Sequence, residues 1–444
     1  MSTLAMGGTV VLIMAALMIT GVPIAFALGL TALIAVVLFL GPTQLGFFAH
    51  FVFDSLNDFA LLSIPLFVLM GVIFGRSKAS EDLFEVTNMW LSWLRGGLAM
   101  SSVVACSIFA ALTGSSPATS AAIGKVAIPE MRKRNYSNQV ATGSIVAGGT
   151  LGILIPPSVT LILYGISTEQ SIGQLFLGGV IPGILVTILF CIWILIAVTL
   201  ERRGTIHQAT VGQNVVAPSH TWGERLAALA KVLPFVILIA AILGVLYLGV
   251  ATPSEAAAVG ALFAFILVAV LYRQVGWNRL METALETTQT STMILMIVAF
   301  SAVIGQVLSF LQVPQELAGT IAELQINRWL VFVVMNLLFL LLGFFLPPVS
   351  IILITMPVLF PVITALNFDP IWFGVVMTLT MEMGLITPPV GLNLYVVQGI
   401  APDVPLRDIL SGAIPYVAVL GVGIALLAIF PGLVTWLPGQ ILGG

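Results

Sequence analysis

Charge along this chain is confined to short intervals. No Asp, Glu, Lys or Arg falls within residues 1–53, 97–124, 135–168, 170–200, 232–254, 287–315 or 329–368. Each run exceeds the roughly 20 apolar residues that a helix needs to cross a bilayer. Within the runs the apolar positions are continuous instead of alternating, which predicts lipid-embedded helices and argues against an outer-membrane strand barrel. Full spans are expected at 138–164, 173–200, 232–250, 254–272 and 283–311. The first apolar segment has no charged n-region or small-residue cleavage site, so it reads as a retained span.

Two of the runs are interrupted at their middles. Thr113-Gly114-Ser115-Ser116-Pro117-Ala118-Thr119-Ser120 breaks the first, and Gly343-Phe344-Phe345-Leu346-Pro347-Pro348-Val349-Ser350 breaks the second. Gly and Pro end helices, and hydroxyls satisfy the freed backbone groups, so each interruption predicts the tip of a re-entrant hairpin, at about 97–124 and 329–365. Beside them, the double-proline segments 152–160 and 384–393 predict broken spans.

The interruptions are duplicated. Pro156-Pro157 in GILIPPSVTLILY and Pro388-Pro389 in GLITPPVGLNLY lie 232 positions apart. Pro23 and Pro253 are 230 apart, Pro117 and Pro348 are 231 apart, and Pro182 and Pro415 are 233 apart. Four landmarks in order with so little drift predict two homologous halves, 1–205 and 231–444, joined by a polar cytoplasmic connector over 206–230. Basic residues Arg95, Lys125, Arg132, Lys133 and Arg134 flank the first hairpin, which places its ends in the cytoplasm. The second hairpin is flanked by Arg328 with Glu316, Glu323 and Asp369, which places its ends outside. Five spans plus one hairpin per half then require the halves to be inverted, the plan of many secondary transporters.

Composition supports the membrane reading. Hydrophobic residues make up 59% of the 444 positions and charged residues 7%, against roughly 25% charged in ordinary soluble domains. The fold class is therefore all-α. Cys106 and Cys191 lie inside apolar runs and read as packing residues. His50, His207 and His220 lack partners at catalytic or metal-ligand spacing, and neither an enzyme nor a nucleic-acid partner is expected.

Unwound carbonyls with hydroxyl and amide oxygens suit Na⁺, and exposed half-helix N-termini suit an anion. Candidate ligands are Ser115, Ser116, Ser158, Thr160, Ser350, Thr387 and Asn393; Thr119, Pro117, Pro156, Pro157, Pro348, Gly384, Pro388 and Pro389 shape the same segments. Ser116, Ser350 and Thr387 are the candidates for Na⁺ itself. The same hydroxyls also suit plain interhelical hydrogen bonding. Glu382, alone in an uncharged span, either helps set a cation site electrostatically or bonds a hairpin backbone. Glu255, just after Pro253, reads as a helix cap. Ser80-Glu81-Asp82 is expected to start an amphipathic helix reaching about Arg95, with Leu83, Val86, Trp90, Trp93 and Leu94 on its apolar face. It is expected to lie flat on the cytoplasmic interface, with Pro314–Leu324 as its counterpart. Such arms either link a fixed scaffold to a mobile core or simply anchor at the interface.

At these residues the chain resembles the large membrane subunit of tripartite ATP-independent periplasmic (TRAP) transporters, of the ion transporter superfamily. GSSPATSAAIG at 114–124, LGILIPPS at 151–158, TPSEAAAVGA at 252–261 and GLITPPVGLNLYV at 384–396 together carry the resemblance, which covers nearly the whole chain. It implies an elevator-type, Na⁺-driven importer of organic acids in a bacterial inner membrane, with no cofactor beyond the coupling ion. Implied partners are a small four-helix membrane subunit and a periplasmic solute-binding protein, both as separate chains. Many family members carry an acidic residue in the second tip, in a pattern like GxFLDP, where this chain has Pro347. The alternative is a binding-protein-independent dicarboxylate or citrate carrier of the same superfamily.

Overall fold

The computed structural model describes residues 2–204, 221–273, 276–323 and 326–442, and every regular element among them is a helix. Helices α1 (Thr3–Ile19) and α2 (Ile24–Ala35, prolonged by a π turn over Val36–Leu40) precede α3 (Leu45–Leu56) and α4 (Ser63–Gly75), which meet at a 60° bend. Then come α5 (Ala79–Leu91), the hairpin of α6 (Gly97–Thr113) and α7 (Ser116–Lys133), the broken pair α8 (Asn138–Leu154) and α9 (Val159–Thr168), and the long α10 (Ile172–Gly204). The second half follows the same order. It comprises α11 (Trp222–Tyr247), α12 (Pro253–Leu267, with a π turn over Val268–Tyr272), α13 (Trp277–Phe310) and α14 (Val313–Glu323). The hairpin of α15 (Arg328–Gly343) and α16 (Pro348–Ala365) comes next, then the broken pair α17 (Pro370–Leu385) and α18 (Leu392–Ile400), α19 (Leu406–Ile429) and the short α20 (Gly432–Leu442). The bent α3–α4 pair has a continuous counterpart in α13.

Seven of these helical segments, the broken pair α8–α9 counted as one, are long and apolar enough to cross a membrane, and the bent α3–α4 pair makes an eighth. Their burial separates two environments. All residues from Val140 to Leu154 of α8 are buried, and so is nearly all of α17. Both helices form the centre of the bundle. Small residues allow this: a Cβ on Gly143 would stand 2.3 Å from the Gly412 carbonyl oxygen of α19, so the two backbones touch. In contrast, α10 and α11 each keep one exposed apolar face, with Ile184 and Ile188 on the first and Leu233 and Val236 on the second, as lipid-facing helices must.

Three boundaries differ from the sequence expectation. Helix α7 continues to Lys133, past the charge-free run that ends at 124, because Lys125, Glu130 and Arg132 carry charge yet favour a helix. Helix α11 starts at Trp222, inside the expected connector, held by a capping box in which Thr221 and Glu224 satisfy each other's backbone N–H groups. The charges of Glu224, Arg225 and Lys231 hid those first turns from a hydropathy reading. Residues 205–220, including His207 and His220, lie outside the described residues. Helix α5 begins at Ala79, one residue before the expected start, and the Ala79 N–H donates to Ser77 Oγ at 3.1 Å.

Helix α5 also packs against protein along its apolar face. Leu83 and Val86 are buried, Lys231 of α11 pairs with Glu85 at 2.7 Å, and the Tyr272 hydroxyl donates to Asp82 at 2.6 Å. Trp93 alone of the expected face stays largely exposed. Glu255 accepts the Thr252 N–H at 2.8 Å, the cap expected of it.

Polar pairs between the halves fall into two sets. In one, Arg132 meets Asp403 at 2.5 Å, Asn138 and Gln139 donate to Asp408, and Arg76 meets Glu282 and Glu286. The Arg132 guanidinium holds the Asp403 carboxyl below the ordinary aspartate range. In the other set, the Tyr164 hydroxyl donates to the Pro370 carbonyl at 2.8 Å and Ser254 donates to the Phe59 carbonyl at 2.8 Å.

Candidate functional site

The first hairpin tip is a tight crossover. Helix α6 ends at Gly114, whose φ of +58° lies in the left-handed region that favours glycine, and a Cβ there would stand 3.0 Å from the Pro157 carbonyl oxygen. Ser115 is extended, and α7 starts at Ser116 with Pro117 in its first turn, where a missing N–H costs nothing. Thr119 Oγ1 donates to the Ser115 carbonyl at 2.8 Å and lies 2.9 Å from Thr113 Oγ1, so the tip closes on itself.

Each tip rests against the broken span of its own half. A Cβ on Gly152 would stand 2.5 Å from the Ser115 carbonyl oxygen, and one on Gly384 would stand 2.6 Å from Gly343 Cα. At the first break, Ser158 caps α9 by accepting the Leu161 N–H and donates to the Ile153 carbonyl at 2.6 Å. At the second, Thr387 donates to the Met383 carbonyl at 2.6 Å, and the Gly391 N–H reaches the Phe344 carbonyl at 3.3 Å. The peptide bonds Pro156-Pro157 and Pro388-Pro389 are both cis.

The halves then exchange partners: α18 packs on α7, and α9 packs on α16. Asn393 Nδ2 donates to Ser116 Oγ at 2.7 Å and reaches the Val146 carbonyl at 3.5 Å. Glu382, fully buried in α17, accepts the Ile153 N–H at 3.3 Å in the last turn of α8. The backbone group that Glu382 bonds thus belongs to the other broken span and not to a hairpin. Ser350 Oγ, Ser120 Oγ, Asn393 Oδ1 and Glu382 Oε2 are buried without a hydrogen-bond partner. Oxygen atoms of this kind are what a buried hard cation would require. No cluster of three or more His, Cys, Asp or Glu side chains exists among the described residues, so hydroxyl, amide and carbonyl oxygens make up most of any donor set.

A cavity of about 860 Å³ lies over this crossing. Thr113 to Ala118 and Pro347 to Val349, from the two tips, border it together with Ile153, Val159, Thr160, Leu385 and Leu392 from the breaks. Among the sequence candidates, Ser115, Ser116, Pro117, Thr160 and Pro348 line it. Thr119, Ser158, Ser350, Thr387, Asn393, Glu382, Gly384 and the four prolines of the double-proline segments do not line it. Helices α4 and α13 supply the opposite wall, with Arg76, Arg279, Glu282 and Glu286 at the rim. Sequence reading singled out none of these four, since Arg76, Arg279 and Glu282 lie outside the expected spans and Glu286 only just inside 283–311; the i, i+3, i+7 spacing of Arg279, Glu282 and Glu286 was the signal of a shared helix face.

An all-helical multi-pass bundle with two mid-bundle hairpins meeting over one cavity is the build of a membrane transporter. The fold is found in a solved transporter, YdaH of Alcanivorax borkumensis, with a TM-score of 0.62 and 17% identity over 91% of this chain and 90% of that one. Residues 11–433 match the family described as "Tripartite ATP-independent periplasmic transporter, DctM component", and this chain belongs to that family. It is 36% identical to the C4-dicarboxylate TRAP transporter large permease protein DctM of Pseudomonas aeruginosa, over 94% of each chain. It is 31% identical to the sialic acid TRAP transporter large permease protein SiaM of Vibrio cholerae, over 96% of this chain and 97% of that one. A fused isethionate TRAP permease, DctMQ of Oleidesulfovibrio alaskensis, is 31% identical over 91% of this chain and 62% of its own length.

Proposed function

We propose that this chain is the membrane-spanning subunit of an inner-membrane, Na⁺-coupled importer that takes an organic acid anion from a periplasmic solute-binding protein and works beside a small four-helix membrane subunit. The observation that carries the reading is the cavity bordered by both hairpin tips and both breaks, backed by buried oxygens without partners. Ser116, Ser350 and Thr387, with Asn393 beside them, are the proposed Na⁺ neighbourhood. The tip backbone at 115–118 and 347–349 faces the solute. Relatives named for C4-dicarboxylates and sialic acid support an organic anion as cargo.

Inversion of the halves is supported by which ends touch. Arg132, at the outer end of the first hairpin, pairs with Asp403, and the residue equivalent to Asp403 at the 231-residue offset is Ile172. Yet Ile172 adjoins the end of α9, whose Tyr164 bonds Pro370 beside the outer end of the second hairpin. Equivalent ends therefore sit at opposite faces. An elevator movement of the hairpins and broken spans past a scaffold of α1–α4 and α11–α13 fits the location of the cavity between these two groups.

The test is uptake into proteoliposomes holding this chain with a four-span subunit and a solute-binding protein of the same family. An inward Na⁺ gradient should drive accumulation only when the binding protein is added. Accumulation without it would favour the binding-protein-independent carrier, and indifference to Na⁺ would remove the coupling. For the topology, Arg132→Cys should label from the cytoplasm and Glu323→Cys from the periplasm; labelling of both from one face would end the inverted arrangement.

A further inference from the structure

The tips and breaks that border the cavity differ in chemistry from one half to the other. From the first half, Thr113, Ser115, Ser116 and Thr160 bring hydroxyls to the cavity wall. From the second half come Pro347, Pro348, Val349, Leu385 and Leu392, none of which has a polar side-chain atom. The scaffold wall adds Val68, Val72, Met293 and Ile294 beside Thr290. The six charged side chains that border the cavity, three acids and three bases, all lie outside the tips and breaks.

Two of the first-half hydroxyls are uncommitted. Thr160 is only 2% exposed, yet its hydroxyl has no hydrogen-bond partner among the described residues, and Ser115 Oγ has none either. Backbone donors collect around them. Helices α7 and α9 start side by side, a Cβ on Gly114 standing 3.5 Å from the Val159 nitrogen. Their opening N–H groups, of Ser116, Ala118, Val159 and Thr160, have no intrahelical acceptor, and both helix dipoles favour negative charge there. The second tip is poorer in donors. Pro347 and Pro348 have no N–H, and the N–H groups of Ser350 and Ile351 turn back to the Pro347 carbonyl, which leaves that of Val349. At the second break the N–H groups of Leu392 and Asn393 open α18, with no polar side chain on the cavity beside them.

We infer that the solute is a monocarboxylate with an apolar body. Its carboxylate is held by Ser115, Thr160 and the opening turns of α7 and α9, and its hydrocarbon part lies against Pro347, Pro348, Val349, Leu385 and Leu392. This rests on the proposed transport function and narrows it. A dicarboxylate would set its second charge against the wall with the fewest donors. A carboxylate moved from water to such a surface loses hydrogen bonds without replacement, whereas a branched aliphatic or aromatic group gains by leaving water.

Thiol protection reads occupancy of the cavity without a binding protein. Ala118 lines the cavity on the first turn of α7. Ala118→Cys is made in the full chain with Cys106→Ala and Cys191→Ala; Ala121→Cys, also on the cavity, replaces it if the first variant does not fold. The purified protein in sodium chloride is labelled with a maleimide in the presence of isocaproate, its neutral amide or succinate. Isocaproate should protect at a concentration roughly tenfold or more below that needed for succinate, because a charge left without donors costs at least that factor. The amide should protect as poorly as succinate. Thr160→Val should cut the advantage of the acid over its amide, and Val349→Ser, which puts a hydroxyl on the second tip, should strengthen protection by succinate. Protection by succinate at a similar or lower concentration than isocaproate would overturn the inference. Equal protection by acid and amide, or protection by none of the three, would overturn it as well. A preference for succinate beside intact Na⁺-driven uptake sinks this inference alone, and failed uptake leaves the order of protection standing, so the two readings fail separately.

Discussion

Asn393 Nδ2 donates to Ser116 Oγ at 2.7 Å, so the second broken span holds the first hairpin tip through a single side-chain bond. Ser116→Ala and Asn393→Ala should each weaken the Na⁺ dependence of uptake, the second more, because it also releases the Val146 carbonyl. Removing one partner of a buried pair costs about 1–3 kcal/mol. A double-mutant cycle on melting of the purified protein should show coupling of about 0.5–3 kcal/mol, as expected for residues in contact. Additive losses would mean that the two side chains act apart.

Glu382 offers one oxygen to the Ile153 N–H and leaves the other without a partner. Glu382→Gln keeps the acceptor and should melt close to the parent. Glu382→Ala strands a buried N–H and should lose about 1–3 kcal/mol. If Gln also abolishes Na⁺ dependence while folding is intact, the carboxylate has an ionic role beyond its backbone bond.

Gly384 and Gly343 touch backbone to backbone, with a Cβ on Gly384 standing 2.6 Å from Gly343 Cα. Gly384→Ala should therefore push the second tip away from its break, costing about 1–3 kcal/mol through overpacking. Uptake should fall more steeply than melting temperature, since the displaced atoms border the cavity. Gly399→Ala, where a Cβ meets nothing within 4 Å, is the matched control.

The Arg132–Asp403 pair sets a pH dependence of definite sign. Arg132 holds the Asp403 carboxyl below its ordinary value, so the folded state gains from the ionised form. That gain is complete above the unfolded aspartate value of about 3.9 and is lost as pH falls through the lower folded value. Asp403→Asn should thus narrow the stability difference between neutral and strongly acidic pH. The comparison is a pair of melting curves at each pH, and a parallel shift at both would exclude the linkage.

How much of this was legible beforehand depended on what each residue opposes. Charge-free runs marked the helices because lipid excludes charge, and Gly, Pro and Ser marked the tips and breaks because backbone cannot stay helical there. The ends of α7 and α11 were hidden for the converse reason: Lys125, Glu130, Glu224 and Lys231 put charge on helical turns that a hydropathy reading passes over. The partner of Glu382 could not be read from spacing, since Ile153 is 229 positions away and offers only a backbone N–H. The cavity face of α13 was concealed likewise, Arg279 and Glu282 lying outside the expected span 283–311 until helix geometry placed them on one face with Glu286.

The exchange in which α18 lies on α7 and α9 lies on α16 has a genetic consequence. A polypeptide ending near residue 204, made alone, would expose one hairpin arm and one broken-helix arm that only the missing portion can cover. Co-expressed fragments divided within 205–220 should therefore rescue each other in trans, whereas either fragment by itself should be cleared by proteolysis.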